Sequence, residues 1–199
     1  MLDKTIPHIG VIMTKAASDY PRFALPAGFC FCGYQTGMEE AWARLMVHVE
    51  QIDSLEEARN YFRKEFLARP ELLAKQCLFV LDETGEIAAT ASIWPGNHFG
   101  QELLRVHWVA CAPQHQGKGL AKALLDTLSA MKYDQLLYLT SQTWSYQALG
   151  LYARFGFVPY HGEKPMNWKA GDAGFAQETK IAWNMIEEKW RQHSNSTTG

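Results

Sequence analysis

The 199-residue sequence is notable first for what it does not contain. It has no apolar run long enough to cross a bilayer, no internal repeat and no low-complexity tract. Its early apolar stretch from Ile9 to Met13 spans five residues, with Asp3, Lys4 and Pro7 ahead of it, and is too short for a signal-peptide core. Neither sign of charge dominates: 19 Lys and Arg stand against 21 Asp and Glu, a formal net charge of -2. Such a chain has no basic field to draw in nucleic acid or anionic lipid, so neither is expected as a partner. Cysteine is sparse as well. Cys30, Cys32, Cys77 and Cys111 form no paired CxxC, which argues for reduced thiols and for no bound metal. With no leader and no membrane span the cytoplasm is the expected location, and the Asn195-Ser-Thr197 sequon is a chance match.

What is present is an apolar fraction of 47%, enough for one full core. Phe29 to Gln35 reads as a strand before Gly37. Trp42, Leu45, Met46 and Val49 recur with helical period, predicting a helix over 38–51. Ser54 and Glu57 form a capping-box pattern that opens a second helix carrying Leu55, Ala58, Phe62 and Phe66, interrupted or kinked at Arg69-Pro70. From Cys77 the period changes. Runs at 77–81, 87–94 and 103–111, separated by Asp82-Glu-Thr-Gly85 and Pro95-Gly-Asn97, predict three consecutive antiparallel strands. A helix with Leu120, Leu124, Leu128 and Met131 follows, then a strand over 136–140. A further helix with Ala148, Leu151, Tyr152 and Phe155 is closed by Gly156. The crossover through the first of these helices implies a parallel pair, hence a mixed sheet. Residues 1–168 are expected to form the main domain. Residues 169–199, with Ile181, Trp183, Met185, Ile186 and Trp190, are expected to add a helix packed on it, and its tryptophans offer a homodimer interface. The chain is expected to fray from Thr197.

The informative segment is Val109-Ala110-Cys111-Ala-Pro113-Gln-His115-Gln116-Gly117-Lys118-Gly119-Leu120-Ala121, a strand end running through a glycine-rich turn into a helix. Main-chain N–H groups at a helix start have no intrahelical acceptor and lie at the positive end of the helix dipole, so they can hold a phosphate without side-chain charge. Gly117 and Gly119 remove the Cβ atoms that would obstruct it. Two common phosphate loops are excluded. Ala112 stands where a Walker loop needs Gly and Gly119 where it needs Ser or Thr, and Lys122 occupies the third glycine position of a dinucleotide fingerprint.

Gln116-Gly-Lys-Gly119-Leu-Ala121 resembles the Gln/Arg-x-x-Gly-x-Gly/Ala loop of the GCN5-related N-acetyltransferases (GNAT). Ser145-Tyr-Gln-Ala148-Leu-Gly-Leu151-Tyr152-Ala-Arg-Phe-Gly156-Phe157 is similar to that family's second motif, with Ser145 in place of the usual Asn. The likeness covers roughly 29–160. It implies an α/β (α+β) GNAT fold: a mixed, mostly antiparallel central sheet flanked by helices, here with an appended C-terminal helix. It also implies acetyl-CoA as co-substrate and a small-molecule or peptide amine as acceptor. By the same resemblance Val109, Ala110 and Cys111 would pair with pantetheine, Gln116 to Ala121 would carry the pyrophosphate, and Ser145 and Ala148 would line the pantetheine arm. The N–H near Val109 would face the oxyanion.

Tyr152 takes the family's acid position, though it also lies in an apolar stripe and could serve packing alone. His107, two residues before Val109, is a candidate base at neutral pH and equally a candidate interior histidine. Glu102 or a water chain are the alternatives. Trp94, Trp108 and Trp144 could form an aromatic cage but suit packing better. His115 and Lys118 could meet cofactor phosphates or remain solvated loop charges. A catalytically silent acyl-CoA-binding sensor module is the rival to an enzyme.

Overall fold

The computed structural model describes residues 2–15, 22–131 and 136–196; Thr197, and with it the end of the sequon and the tail expected to fray, lies outside the described residues. Seven strands hydrogen-bond in the order β2-β3-β4-β5-β6-β1-β7 in a mixed sheet with flanking helices. The chain divides into two compact units. One comprises Pro21–Trp94 and Val106–Lys132, the other Met1–Tyr20, Pro95–Arg105 and Tyr133–Gly199. Strands β4 and β5 contribute residues to both.

In the first unit β2 (Cys30–Gly33) pairs antiparallel with β3 (Cys77–Leu81), and β3 with β4 (Ile87–Gly96). Between β2 and β3 lie α1 (Met38–His48), α2 (Leu55–Glu65) and α3 (Pro70–Gln76). Helix α1 ends before the expected Gln51 because Glu50 takes φ 57 and its N–H turns back to the Val47 carbonyl. Ser54 caps α2, its Oγ accepting from the Glu57 N–H at 3.2 Å. Pro70 does not kink α2: it opens α3 at the first helical position, where its missing N–H costs nothing. The core of this unit is aromatic. Trp42, Phe62, Phe66 and Trp94 are buried, with Trp42 edge-on to Phe62 at 5.1 Å and Phe66 edge-on to Trp94 at 4.7 Å. Strand β5 (Leu103–Cys111) leads through a 3-10 turn at Pro113–His115 to α4 (Leu120–Ala130), which buries Leu120, Leu124 and Leu128.

In the second unit β1 (Gly10–Lys15) runs antiparallel to β6 (Leu137–Gln142), from Gly10 opposite Gln142 to Lys15 opposite Leu137. On its other edge β1 takes the two-residue β7 (Val158–Pro159). Val11, Ile12 and Met13 are all buried, so β1 is covered on both faces and reads as a continuous apolar run with no alternation. Gly10 is required there, since a Cβ would stand 2.7 Å from the Trp168 ring. Helix α5 (Tyr146–Arg154) closes on Gly156 at φ 81. Helix α6 (Phe175–Ser196) packs against β1 and α5. Its Trp183 is buried and its Trp190 Nε1 donates to the Tyr146 carbonyl at 2.7 Å, so both tryptophans are used inside the unit. Among the described residues no helix is long and apolar enough to cross a membrane.

Because Phe62 is fully buried within an aromatic cluster, Phe62→Ala is expected to cost about 3–5 kcal/mol. Ser54→Ala, which removes the α2 cap, should cost about 1 kcal/mol. Urea unfolding of both variants checks the ranking.

Candidate functional site

The residues singled out in the sequence fall into two groups, each assembled within one unit. The first is the continuous path from His107 to Ala121. Strand β5 is irregular at its centre, where Trp108 adopts φ 49. A left-handed bulky residue inside a strand marks a bulge, which breaks the ladder and frees main-chain groups on either side. The indole N–H of Trp108 is buried with no hydrogen-bond acceptor among the described residues. On one side of the bulge the His107 carbonyl is anchored by Ser92 Oγ at 2.8 Å. On the other the Val109 carbonyl accepts from Gln51 Nε2 at 3.2 Å, and the Cys111 carbonyl from Gln116 Nε2 at 3.2 Å. Each carbonyl keeps a second lone pair. Ala110 is buried, and burial pushes the Cys111 thiol up to about 11, which leaves almost no thiolate at neutral pH.

Beyond Pro113 the chain turns into α4. Gly117 (φ 78) and Gly119 (φ 88) are both left-handed, and a Cβ on either would meet nothing within 4 Å. These glycines are therefore demanded by backbone conformation, and the space above them is open. Among the described residues no main-chain N–H from Gly117 to Lys122 has a main-chain or side-chain acceptor; the first amide to find one is Ala123, on the Gly119 carbonyl. This row of donors at the start of an eleven-residue helix has the geometry from which an anion can be held.

The flanking charges are ordered. His115 Nε2 lies 3.1 Å from Asp82 Oδ2, and Lys118 Nζ 3.2 Å from His115 Nδ1. An ammonium only donates, so Nδ1 is the acceptor and Nε2 carries the proton toward Asp82. The Lys118 ammonium also stands over the Phe29 ring at 5.6 Å. Asp82 is held below the usual carboxylate range, chiefly by the Thr84 hydroxyl, with further bonds from the Thr84 and Glu86 amides and from His115. The sequence presented Asp82 as a turn residue and gave no sign that it orients His115.

Two residues near His107 escaped the sequence reading. Tyr61 Oη lies 2.7 Å from His107 Nε2, although Tyr61 follows Ala58 by three positions and was therefore within reach of the helical pattern. Gln51 sits just past α1 and carried no signal. Glu102 is exposed in the bend just before β5.

The second group lies in the other unit. The Ser145 N–H donates to Gln142 Oε1 at 2.9 Å, opening the turn into α5, and Ala148 is half-buried. Tyr152 is buried, with its ring 6.1 Å from Phe157, and its hydroxyl has no hydrogen bond to any described residue. Burial raises the phenol well above its ordinary value, so Tyr152 remains protonated at neutral pH. The buried residues of α5 are Tyr146, Leu149 and Tyr152, displaced from the expected Ala148 and Leu151 but still including Tyr152.

Of the three tryptophans considered as a cage, Trp94 is core. Trp144 packs on His8 and donates its Nε1 to the Ile6 carbonyl at 2.7 Å. Among the described residues no three His, Cys, Asp or Glu side chains are grouped to hold a metal ion.

Comparison with known proteins converges on one family. Residues 74–159 match the acetyltransferase (GNAT) domain. A mycothiol acetyltransferase from Pseudarthrobacter chlorophenolicus is 31% identical over 157 residues, covering 73% of this chain and 47% of the relative. A GCN5-related N-acetyltransferase from Sphaerobacter thermophilus superposes with a TM-score of 0.60 at 19% identity, covering 77% of this chain and 49% of that one. A GNAT-family acetyltransferase from Colwellia psychrerythraea gives 0.54 at 14% identity, over 79% and 55%. The chain thus spans about half the length of the curated relative it matches. The solved structures show that the fold is shared, and the matched domain with the relative shows that this chain belongs to the GNAT superfamily.

Proposed function

We propose that this chain transfers an acetyl group from acetyl-CoA to a primary amine on a small-molecule or peptide acceptor, by direct attack with both substrates bound. The observation that carries the reading is the row of unsatisfied N–H groups from Gly117 to Lys122 beneath two open glycines. It suits a pyrophosphate: several converging donors, a helix dipole of the right sign and no Cβ in the way. In this reading Gln116 to Ala121 hold the diphosphate, while Val109, Ala110 and Cys111 offer main-chain groups at the bulge to the pantetheine arm. Ser145 and Ala148 are assigned to that arm by the motif they occupy.

Bound acetyl-CoA supplies an acyl group activated for attack and a thiolate leaving group. A covalent acyl-cysteine route is disfavoured, because Cys111 is the cysteine of this segment and burial keeps it a thiol. The amine nitrogen forms its bond to the acyl carbon as the carbon–sulfur bond breaks, and the proton it sheds passes to His107. Tyr152, buried and protonated, donates a hydrogen bond and finally a proton to the departing sulfur, and it regains a proton from water as His107 releases the amine's proton to solvent. The Val109 N–H is assigned to the developing oxyanion. The expected location remains the cytoplasm.

Three outcomes test this. Thiol release from acetyl-CoA over a panel of lysine peptides, N-terminal peptides, polyamines and aromatic amines should reveal turnover; Tyr152→Phe should lower kcat about a hundredfold. Cofactor binding without turnover on any amine would favour the silent sensor. Gly119→Val places a branched side chain at φ 88 over the cradle and should weaken CoA binding by calorimetry at least about tenfold, the loss of one or two charge-assisted hydrogen bonds. Unaltered affinity would reject the loop as the diphosphate site.

The third concerns pH. In the unfolded chain a tyrosine ionises near pH 10, whereas folded Tyr152 ionises higher. The unfolded state therefore sheds its proton first, and the stability this burial confers is complete below about pH 10 and lost as pH rises above it. Tyr34, raised to about 12 mainly by burial, and Tyr138 act with the same sign. Tyr152→Phe should make the alkaline fall of stability shallower without abolishing it, as read by urea midpoints from pH 8 to 11.

A further inference from the structure

The shortest side-chain link near the bulge joins two residues from different elements. Tyr61 on α2 and His107 on β5 lie 2.7 Å apart, Oη to Nε2. Both rings are fixed by packing. Tyr61 is stacked on Trp42 at 6.3 Å, with interplanar angle 15°, and edge-on to Trp108 at 5.1 Å and Phe66 at 6.2 Å. The His107 ring lies against Phe66 at 6.2 Å and Trp108 at 5.2 Å, and its carbonyl is tied down by Ser92. The phenol oxygen therefore meets Nε2 because the aromatic core of this unit holds both partners, and the bond need not order two mobile side chains.

Resting on the acyl-transfer reading, we infer that Tyr61 is a positioning residue that presents His107 to the reacting amine and keeps it oriented while its protonation state changes. The reason is chemical. An imidazolium carries hydrogen on both nitrogens, so Nε2 must then donate to the Tyr61 oxygen. Because Nε2 is engaged with Tyr61, the ring takes the amine's proton at Nδ1, and the neutral tautomer that can do so carries its hydrogen on Nε2, which donates to the Tyr61 oxygen before and after the transfer. The phenol oxygen accepts in both states without adding the charge that a carboxylate would bring. The proton released by the amine ends on Nδ1 and later passes to water, and Tyr61 begins and ends the cycle as a phenol.

On α2, Glu57 and Glu65 stand one turn to either side of Tyr61 and so share its face; Arg69 lies in the turn beyond Phe66 and Arg105 on β5, while β4 contributes uncharged Ser92 and Trp94. Of these, Tyr61 is hydrogen-bonded to the ring.

Tyr61→Phe keeps the ring and its packing and removes only the hydroxyl. Thermal stability and calorimetric CoA affinity should stay within error of wild type, kcat should fall about tenfold, the loss of one hydrogen bond, and the acidic limb of the kcat/KM pH profile should move. In cofactor-free protein with 15N-labelled histidine, the His107 ring nitrogens should change shift and titration midpoint in Tyr61→Phe. His107→Ala and the double variant should be equally slow. Unchanged kcat and ring shifts in Tyr61→Phe, or losses that multiply in the double variant, would overturn the inference while leaving acyl transfer intact. So would a His107→Ala enzyme with wild-type turnover. A wild type that acetylates no amine in the panel would instead overturn the acyl-transfer reading, and the role of Tyr61 with it.

Discussion

The site depends on one constraint: a strand must end, turn and start a helix while leaving its first amides without partners. Folded proteins satisfy nearly all buried main-chain donors, so a run from Gly117 to Lys122 with no acceptor among the described residues is tolerable only where solvent or a ligand reaches it. The two left-handed glycines meet both needs. They allow the turn, and they leave the space above it open. Helix α4 then has to be held firmly, and it is: Leu120, Leu124, Leu125 and Leu128 are buried beneath it, so the donors are fixed before any ligand arrives.

A second constraint lies one strand-length away. Trp108 occupies a backbone conformation that bulky residues rarely adopt, and its buried indole N–H has no acceptor among the described residues. Strain of this kind persists only where packing over-determines it. The surrounding rings of Trp42, Tyr61 and His107 provide that packing. The aromatic cluster is thus more than a core: it holds the bulge open, and the same rings set the Tyr61–His107 contact. Helix α2 and the segment just past α1 accordingly act on β5, since Tyr61 and Gln51 both reach its residues from outside the sheet.

How much of this was legible follows from the kind of signal each part leaves. The glycine turn, β3, β5 and the Ser54 cap depend on local chemistry, and the expected spans of β3 and β5 coincide with the observed ones. Strand β1 was not recognised because it is buried on both faces, so alternation, the usual sign of a strand, is missing from Val11-Ile12-Met13. Arg69-Pro70 reads as interrupting or kinking a helix, and the helical run does break there, over 66–69; what local pattern could not tell is that Pro70 begins the next helix and does not bend the first. Asp82, Gln51 and Tyr61 were missed for a common reason: each reaches its target across tens of residues of sequence, and no local period encodes such a meeting.

In the proposed reading a chain of net charge -2 meets a multiply charged anion through main-chain dipoles, which act without a net charge that would repel or attract elsewhere on the surface. The one cation within the turn, Lys118, is held by His115, and His115 by Asp82. That chain places a carboxylate two residues removed from the cradle and moderates the positive charge beside it. An ammonium so tethered loses less freedom on meeting a phosphate than a solvated one would. The advantage is therefore entropic, and it arises from a β-turn aspartate that the loop motif itself does not contain.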